Sequence, residues 1–145
     1  MKPRFHMCVA AYLLPIRDGN ILLLRRFQTG YEDGKYSFIA GHLDGGETVQ
    51  AAICREAREE ACMTIDERDI DIVHVMHRTG EEGNERIDFF CTAKKWEGEP
   101  TIGEPDKCDD LSWFPLVSLP DTTIPYIRKA IEYYQEKIPF SSFGF

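Results

Sequence analysis

A mixed α/β domain is the fold class this sequence predicts, and three observations predict it. Short runs rich in apolar, β-branched and aromatic residues recur along the chain, as strands require. Two other stretches, about Thr48 to Ala61 and the segment after Asp121, carry apolar residues at helical spacing. The 145 residues, 43% hydrophobic and 29% charged, contain no repeat, linker or low-complexity stretch, which suits one domain over 1–145 with its own core.

Taken in order, Met7 to Leu14 and Ile21 to Arg26 are apolar runs joined across Asp18-Gly19-Asn20, where the glycine accepts positive φ, so the pattern predicts a β-hairpin. Gln28 to Lys35 is a polar loop. Tyr36 to Ala40 reads as a short strand and Gly41 to Glu47, with three glycines in seven residues, as a loop. After the first helix, Ile70 to His77 and Arg86 to Lys94 predict a second antiparallel pair across a Gly80 to Glu85 turn, and Leu111 to Phe114 one more short strand. Ile124, Ile127, Ala130, Ile131 and Tyr134 recur at helical spacing, giving an amphipathic helix that ends before Pro139. The elements assemble into a largely strand-built sheet with helices packed on it.

The formal net charge of -8 and pI of about 5.0 argue against non-specific binding to nucleic acid or to an anionic membrane. The acid is concentrated in the middle of the chain, which leaves open whether it is a solvated surface or a cation site. Five cysteines form an odd set without a CxxC pair, as expected of buried or incidental thiols in a reducing cytoplasm. Arg17-Asp18-Gly19-Asn20 interrupts the early apolar run, so neither a signal peptide nor a transmembrane span is predicted.

The first helix carries the chemistry. At 100° per residue Val49, Ala52 and Ile53 form its inward stripe, and continuing that stripe meets Glu56, then Glu59 and Glu60, then Met63. Like charges at i, i+3 and i+4 repel, and partly buried they require a positive partner. A solvated Glu/Arg face would explain the charge run equally well, but it would lie opposite Val49 and Ile53 rather than continue their line. A divalent cation is the simplest partner, and oxygen-only ligands indicate a hard ion, Mg²⁺ or Mn²⁺. Zinc lacks a His pair at helical spacing or a Cys partner.

Gly41, five residues, Glu47, seven residues, and then Arg55-Glu56-Ala57-Arg58-Glu59-Glu60-Ala61-Cys62-Met63 resembles the Nudix box of the Nudix hydrolases. The box covers Gly41 to Met63, and the flanking order of strands and the final helix is also similar to that family's α/β/α sandwich, a mixed β-sheet between helices. One position departs from the pattern: Cys62 stands where the family usually has Gly, a residue favoured at a left-handed helix end.

The resemblance implies hydrolysis of a nucleoside diphosphate linked to another group, with water attacking phosphorus. It implies that Glu56, Glu59 and Glu60 hold one or more Mg²⁺, that Glu56 is also a candidate base, that Glu47 and the Gly41 carbonyl complete or brace the site, and that Arg55 orients a carboxylate. The family often adds an acid from a downstream loop; Glu99 is the first choice and Glu104 the second. Arg25, Arg26, Tyr31 and Tyr36 are candidates for contacts to phosphate or base, although strand alternation lets only one of Arg25 and Arg26 point into a cleft. The expected reaction is cleavage of a nucleoside triphosphate, an oxidised or non-standard one included, to monophosphate and pyrophosphate. Hydrolysis of ADP-ribose, nucleotide sugars or dinucleoside polyphosphates is the alternative, and a non-catalytic nucleotide-binding module is a third reading. The resemblance also admits a homodimer, and the aromatic tail Phe140 to Phe145 is either packed on the domain or placed at an interface.

Overall fold

Strands β1 (Cys8–Leu13) and β3 (Asn20–Arg26) run through the centre of the computed structural model, which describes residues 1–80 and 83–145. Their side chains alternate between two cores. Ala11 and Leu13 of β1 and Leu22 and Leu24 of β3 pack with Ala52, Ile53, Ala57 and Ala61 of α1 (Val49–Ala61). Ala10, Tyr12, Leu14, Ile21 and Leu23 pack on the other side with Ile127, Ala130 and Ile131 of α2 (Pro125–Gln135). Burial on both faces explains why these runs are continuously apolar rather than alternating. Strands between two helical layers make the α/β/α arrangement the sequence predicts.

The remaining strands are β2 (Ile16–Arg17), β4 (Tyr36–Ser37), β5 (Ile39–His42), β6 (Ile70–Thr79), β7 (Glu85–Ala93), β8 (Cys108–Pro115) and β9 (Phe140–Phe143). One mixed sheet has the order β5-β1-β7-β6-β9, with β1/β7 and β6/β9 parallel and the other pairs antiparallel. In the second sheet β3 pairs antiparallel with β2, β4 and β8.

Three expectations are corrected here. The two apolar runs flanking Asp18-Gly19 are not hairpin partners: β1 pairs with β5 and β7, and the hairpin is the two-residue strand β2 returning into the start of β3. Asp18 and Gly19 both have positive φ, 52° and 77°, the backbone a two-residue hairpin turn requires. The strand expected over 36–40 is split into β4 and β5, which belong to different sheets. The loop expected from Gly41 starts after His42, because β5 continues in register with β1 as far as the Ala10–His42 pair. The aromatic tail holds a further strand, β9, fixed to β6 by the buried His74, whose Nδ1–H donates to the Ile138 carbonyl (2.6 Å) while Nε2 accepts from the Ser141 hydroxyl (2.7 Å). Pairing of β6 with β7 follows the expectation; residues 81 and 82 of its turn lie outside the described residues.

Helix α1 begins where Thr48 caps it, the Thr48 Oγ1 accepting from the Ala51 amide at 3.0 Å. It ends at Cys62 in a left-handed conformation, φ 57°, with the Cys62 amide turned back to the Ala57 and Arg58 carbonyls. A Cβ is disfavoured there, so Cys62→Gly is expected to stabilise the protein by about 0.5–1 kcal/mol, with part of the gain offset by the looser unfolded chain. Thermal unfolding monitored by circular dichroism should show Tm raised by roughly 2–4 °C.

Candidate active site

The inward stripe of α1 passes from Ala52 and Ile53 to Glu56 and Glu60 without changing direction, so the last two turns aim carboxylates at β5. Glu56, Glu59 and Glu60 border a cavity of about 520 Å³ whose other walls include Leu24, Arg26, Phe38, Glu104, Lys107 and Cys108. Glu60 Oε2 accepts from the Ala40 amide at 3.1 Å, which anchors the deepest of the three. Glu59 is the outermost, its side chain 48% exposed against 12% for Glu56.

Gly41 is present for a steric reason. A Cβ built there would collide with the Glu56 carboxylate, so the strand and the acid approach as closely as they do only because the side chain is missing. Arg55 contains the charge from the other side. Its Nη1 donates to Glu56 Oε1 at 2.6 Å, and its Nε and Nη2 form a two-pronged contact with Glu47 at 3.3 and 2.8 Å. Glu47 Oε1 also accepts the Asp44 amide at 3.1 Å, which ties the glycine-rich loop to the helix.

Burial pushes the Glu60 carboxyl well above the usual carboxylate range, and the neighbouring Glu56 charge adds to the shift. Burial raises Glu56 too, but Arg55 opposes that rise. Glu47 is lowered by its bonds to Arg55 and to the Asp44 amide.

The loop after β7 sets which further acid reaches this cavity. Its backbone caps the end of α1: the Thr101 amide donates to the Ala61 carbonyl (3.0 Å) and the Gly103 amide to the Glu60 carbonyl (2.9 Å). Gly103 lies so close to the Glu59 carbonyl that a Cβ would not fit, and the next residue, Glu104, enters the cavity wall. Glu99, the first choice from sequence, is not brought there. It points outward and pairs with Arg17 at 2.8 Å, which holds its carboxyl below the ordinary range.

Arg26 lines the cavity while Arg25 faces away, bonded to Asp109 at 2.7 Å. Strand alternation produces this: Leu22, Leu24 and Arg26 share the face of β3 turned towards α1, and Arg25 lies on the other. The extra residue of the β-bulge is Asp109 of β8, which stands between the partners of Arg25 and Arg26 and takes the Arg25 ion pair. Tyr36 is buried and donates its hydroxyl to Asp110, outside the cavity. Tyr31 stands instead at a second, adjoining cavity with Tyr12, His42, Arg86 and Tyr126.

Hard oxygen donors are what the cavity offers, and four carboxylates against Arg26, Arg55 and Lys107 suit Mg²⁺ or Mn²⁺. Among the described residues no three acidic, His or Cys groups stand close enough together to enclose an ion as they are, since Arg55 occupies one oxygen of Glu56 and Glu59 leans outward. Glu60 supplies the fitting observation: a carboxylate withdrawn from water beside another carboxylate, with a single backbone amide as its donor.

Comparison with known families matches residues 5–134 to the NUDIX domain. The chain belongs to the NUDIX domain family. It is similar to the oxidized purine nucleoside triphosphate hydrolase of Danio rerio, 27% identical over 130 residues that cover 72% of this chain and 76% of that protein. It is also similar to the NAD-capped RNA hydrolase NudC of Vibrio atlanticus, 26% identical over 123 residues and 82% of this chain, but spans only 40% of that protein's length. Among solved structures, the MutT NUDIX hydrolase from Burkholderia pseudomallei aligns with a TM-score of 0.80 at 29% identity over 88% of this chain and 98% of that one. An ADP compounds hydrolase shares the fold, with a TM-score of 0.69 at 23% identity over 89% and 71% of the two chains.

Within this Nudix domain, sequence reasoning missed Lys107, Cys108 and the whole second cavity. The charged pair Glu104–Lys107 at i, i+3 was available as a signal; Tyr12, Arg86 and Tyr126 carried none, because each reads as part of a strand or helix stripe.

Glu60 makes stability depend on pH in a defined direction. Its folded-state pKa lies above the unfolded value of about 4.5, so the folded protein binds more protons in that window and loses stability as pH rises through it. In Glu60→Gln the amide accepts from Ala40 and donates to Glu56, as the protonated acid does. With chelator present, the variant should melt roughly 3–5 °C above wild type at pH 8 and show little difference at pH 4.5. Equal melting curves at both pH values would contradict the burial argument.

Proposed function

We propose that this chain is a Mg²⁺-dependent pyrophosphohydrolase, with Mn²⁺ able to substitute, that cleaves a nucleoside triphosphate to the monophosphate and pyrophosphate. The observation that carries the reading is the single cavity in which Glu56, Glu59 and Glu60 face Arg26 and Lys107. Carboxylates alone repel a polyphosphate, and cations alone give it no counter-ion site; both together suit a metal-chelated one. The similarity to an oxidized purine nucleoside triphosphate hydrolase supports an oxidised or non-standard nucleotide as the substrate class. Room beside the cavity favours a second reading, in which the leaving group is larger, as in ADP-ribose, nucleotide sugars or dinucleoside polyphosphates.

Glu56, Glu59, Glu60 and Glu104, with the Gly41 carbonyl, are the residues that would hold the ion. When bound, Mg²⁺ supplies positive charge to the phosphoryl oxygens and favours deprotonation of the attacking water. Arg26 and Lys107 neutralise phosphate oxygens from the opposite wall. Glu56 accepts the proton of the water as its oxygen attacks phosphorus and the bond to the departing pyrophosphate breaks. Its raised pKa makes it a stronger base than an exposed carboxylate. Arg55 keeps one Glu56 oxygen engaged, so the carboxylate presents the other. Glu47 holds Arg55 in place, and Glu104 takes the loop position expected of Glu99.

Five free cysteines, three of them buried, suit a reducing cytoplasm, and among the described residues no helix is long and apolar enough to cross a membrane.

A panel of nucleoside triphosphates, ADP-ribose, nucleotide sugars and dinucleoside polyphosphates, assayed with Mg²⁺ for phosphate and pyrophosphate release, tests the reading. Glu59→Gln and Glu60→Gln should each lower kcat by about 10²–10⁴ while the circular dichroism spectrum is retained. Turnover of no panel member, or wild-type rates in both variants, would refute it. Mg²⁺ should raise Tm more in wild type than in either variant.

A further inference from the structure

The second cavity, about 410 Å³, meets the first at Arg26 and Ala40, which line both. Its chemistry is the opposite. Among the described residues no carboxylate lines it; its wall carries Arg26, Arg86, Tyr12, Tyr31, Tyr126 and Ser37, all able to donate hydrogen bonds.

The charge beneath this wall does not cancel. Asp88 is fully buried and serves two guanidinium groups, Arg78 through Nε at 2.8 Å and Arg86 through Nε at 3.1 Å. Arg78 is itself buried, with its guanidinium 3.7 Å from the centre of the Tyr126 ring. Two cations sharing one anion leave one positive charge over. Arg86 Nη2 donates to His42 Nε2 at 3.2 Å, so His42 is an acceptor there and cancels nothing. Among the described residues Arg86 Nη1 has no hydrogen-bond partner. The Tyr12 and Tyr126 hydroxyls are pushed up by burial and stay neutral; they bond each other at 3.2 Å, which leaves one of their two protons for a ligand. Arg26, on the shared wall, donates through Nε to the Tyr31 carbonyl at 2.6 Å and through Nη2 to Thr29 Oγ1 at 3.0 Å, with the Asp33 carboxylate bonded to the same hydroxyl.

We propose that this second cavity is a metal-independent site for a phosphate monoester, a group carried by the substrate apart from its phosphoanhydride and gripped between Arg86 and Arg26. An uncharged base would leave the surplus positive charge of the Arg78–Asp88–Arg86 group unmatched, whereas a phosphate supplies two charges and several acceptor oxygens to a wall made of donors. The substrate class becomes a nucleotide bearing a second phosphate on its nucleoside end. This assignment rests on the first cavity's being the place of the anhydride, but the affinity of the second for phosphate stands without any turnover.

The test separates the two. In chelator-containing buffer, inorganic phosphate at about tenfold its Kd should raise the Tm of the wild type by roughly 4 °C. The shift should persist in Glu59→Gln and vanish in Arg86→Gln and Arg26→Gln. Asp88 keeps Arg78 as its partner in Arg86→Gln, and if that variant does not fold, Lys107→Gln decides: it removes a cation of the first cavity alone and should leave the shift intact, whereas loss of the shift in it would place the phosphate in the first cavity and overturn the site. With Mg²⁺, 3′-phosphorylated ATP should be hydrolysed with a KM about tenfold below that of ATP, an advantage that Arg86→Gln abolishes. No phosphate shift in the wild type, or the same shift in both arginine variants, overturns the site. A phosphate shift without hydrolysis of either nucleotide overturns the proposed function and leaves the anion site standing.

Discussion

Glu56 and Glu60 sit one helical turn apart on the face of α1 that packs against β5, where water reaches poorly and like charges repel strongly. Much of the surrounding structure serves to contain that repulsion. Ala40 gives Glu60 its single backbone donor, Gly41 yields the space Glu56 occupies, and Arg55 draws Glu56, Glu47 and Glu59 towards one guanidinium. Breaking a partly buried pair by removing one partner is far more costly than the pair's net worth. Each of these contacts is therefore needed by its neighbours, and α1, β5 and the loop between them act as one unit. The outcome is a helix that is ordinary core for its first two turns and an acid site for its last two.

The same constraint determined how much could be read from the sequence. Helix α1, its apolar stripe and the turn of that stripe into acid were legible because all of them follow from a local period of 3.6 residues. The roles of Arg55 and Glu47 came from the resemblance to the Nudix box rather than from periodicity. Strand pairing was harder. The runs around Asp18-Gly19 looked like hairpin partners because a strand of two residues, β2, has no periodicity to detect; both runs are buried on two faces, which removes the alternation that would have distinguished their neighbours. β9 was hidden by a composition of Phe and Ser that only pairing with β6 and the buried His74 makes into a strand.

Glu99 and Glu104 mark the boundary between what spacing gives and what the fold gives. Both are loop acids near glycine and proline, and nothing local ranks them. The order is reversed by two non-local facts. Arg17, at the end of β2, captures Glu99, and the C-terminal carbonyls of α1 capture the backbone around Thr101 and Gly103 so that Glu104 comes next to Glu60. Arg26 is a similar case: alternation allowed only one of two arginines into the cleft, and the packing of Leu22 and Leu24 against α1 decides which one.

A net charge of -8 first counts against anionic partners, and the arrangement of that charge reverses the inference locally. The acid of α1 lines one cavity and Arg86 the other, with Ala40 and Arg26 on the boundary they share. The carboxylates of the first cavity are compensated locally, by Arg55 and the Ala40 amide, whereas Asp88 is divided between Arg78 and Arg86 and leaves the second cavity net positive. The edge of β5 thus divides a dipolar cleft. An extended, multiply phosphorylated molecule is the ligand whose own charge distribution, once one end is chelated, matches both halves at once.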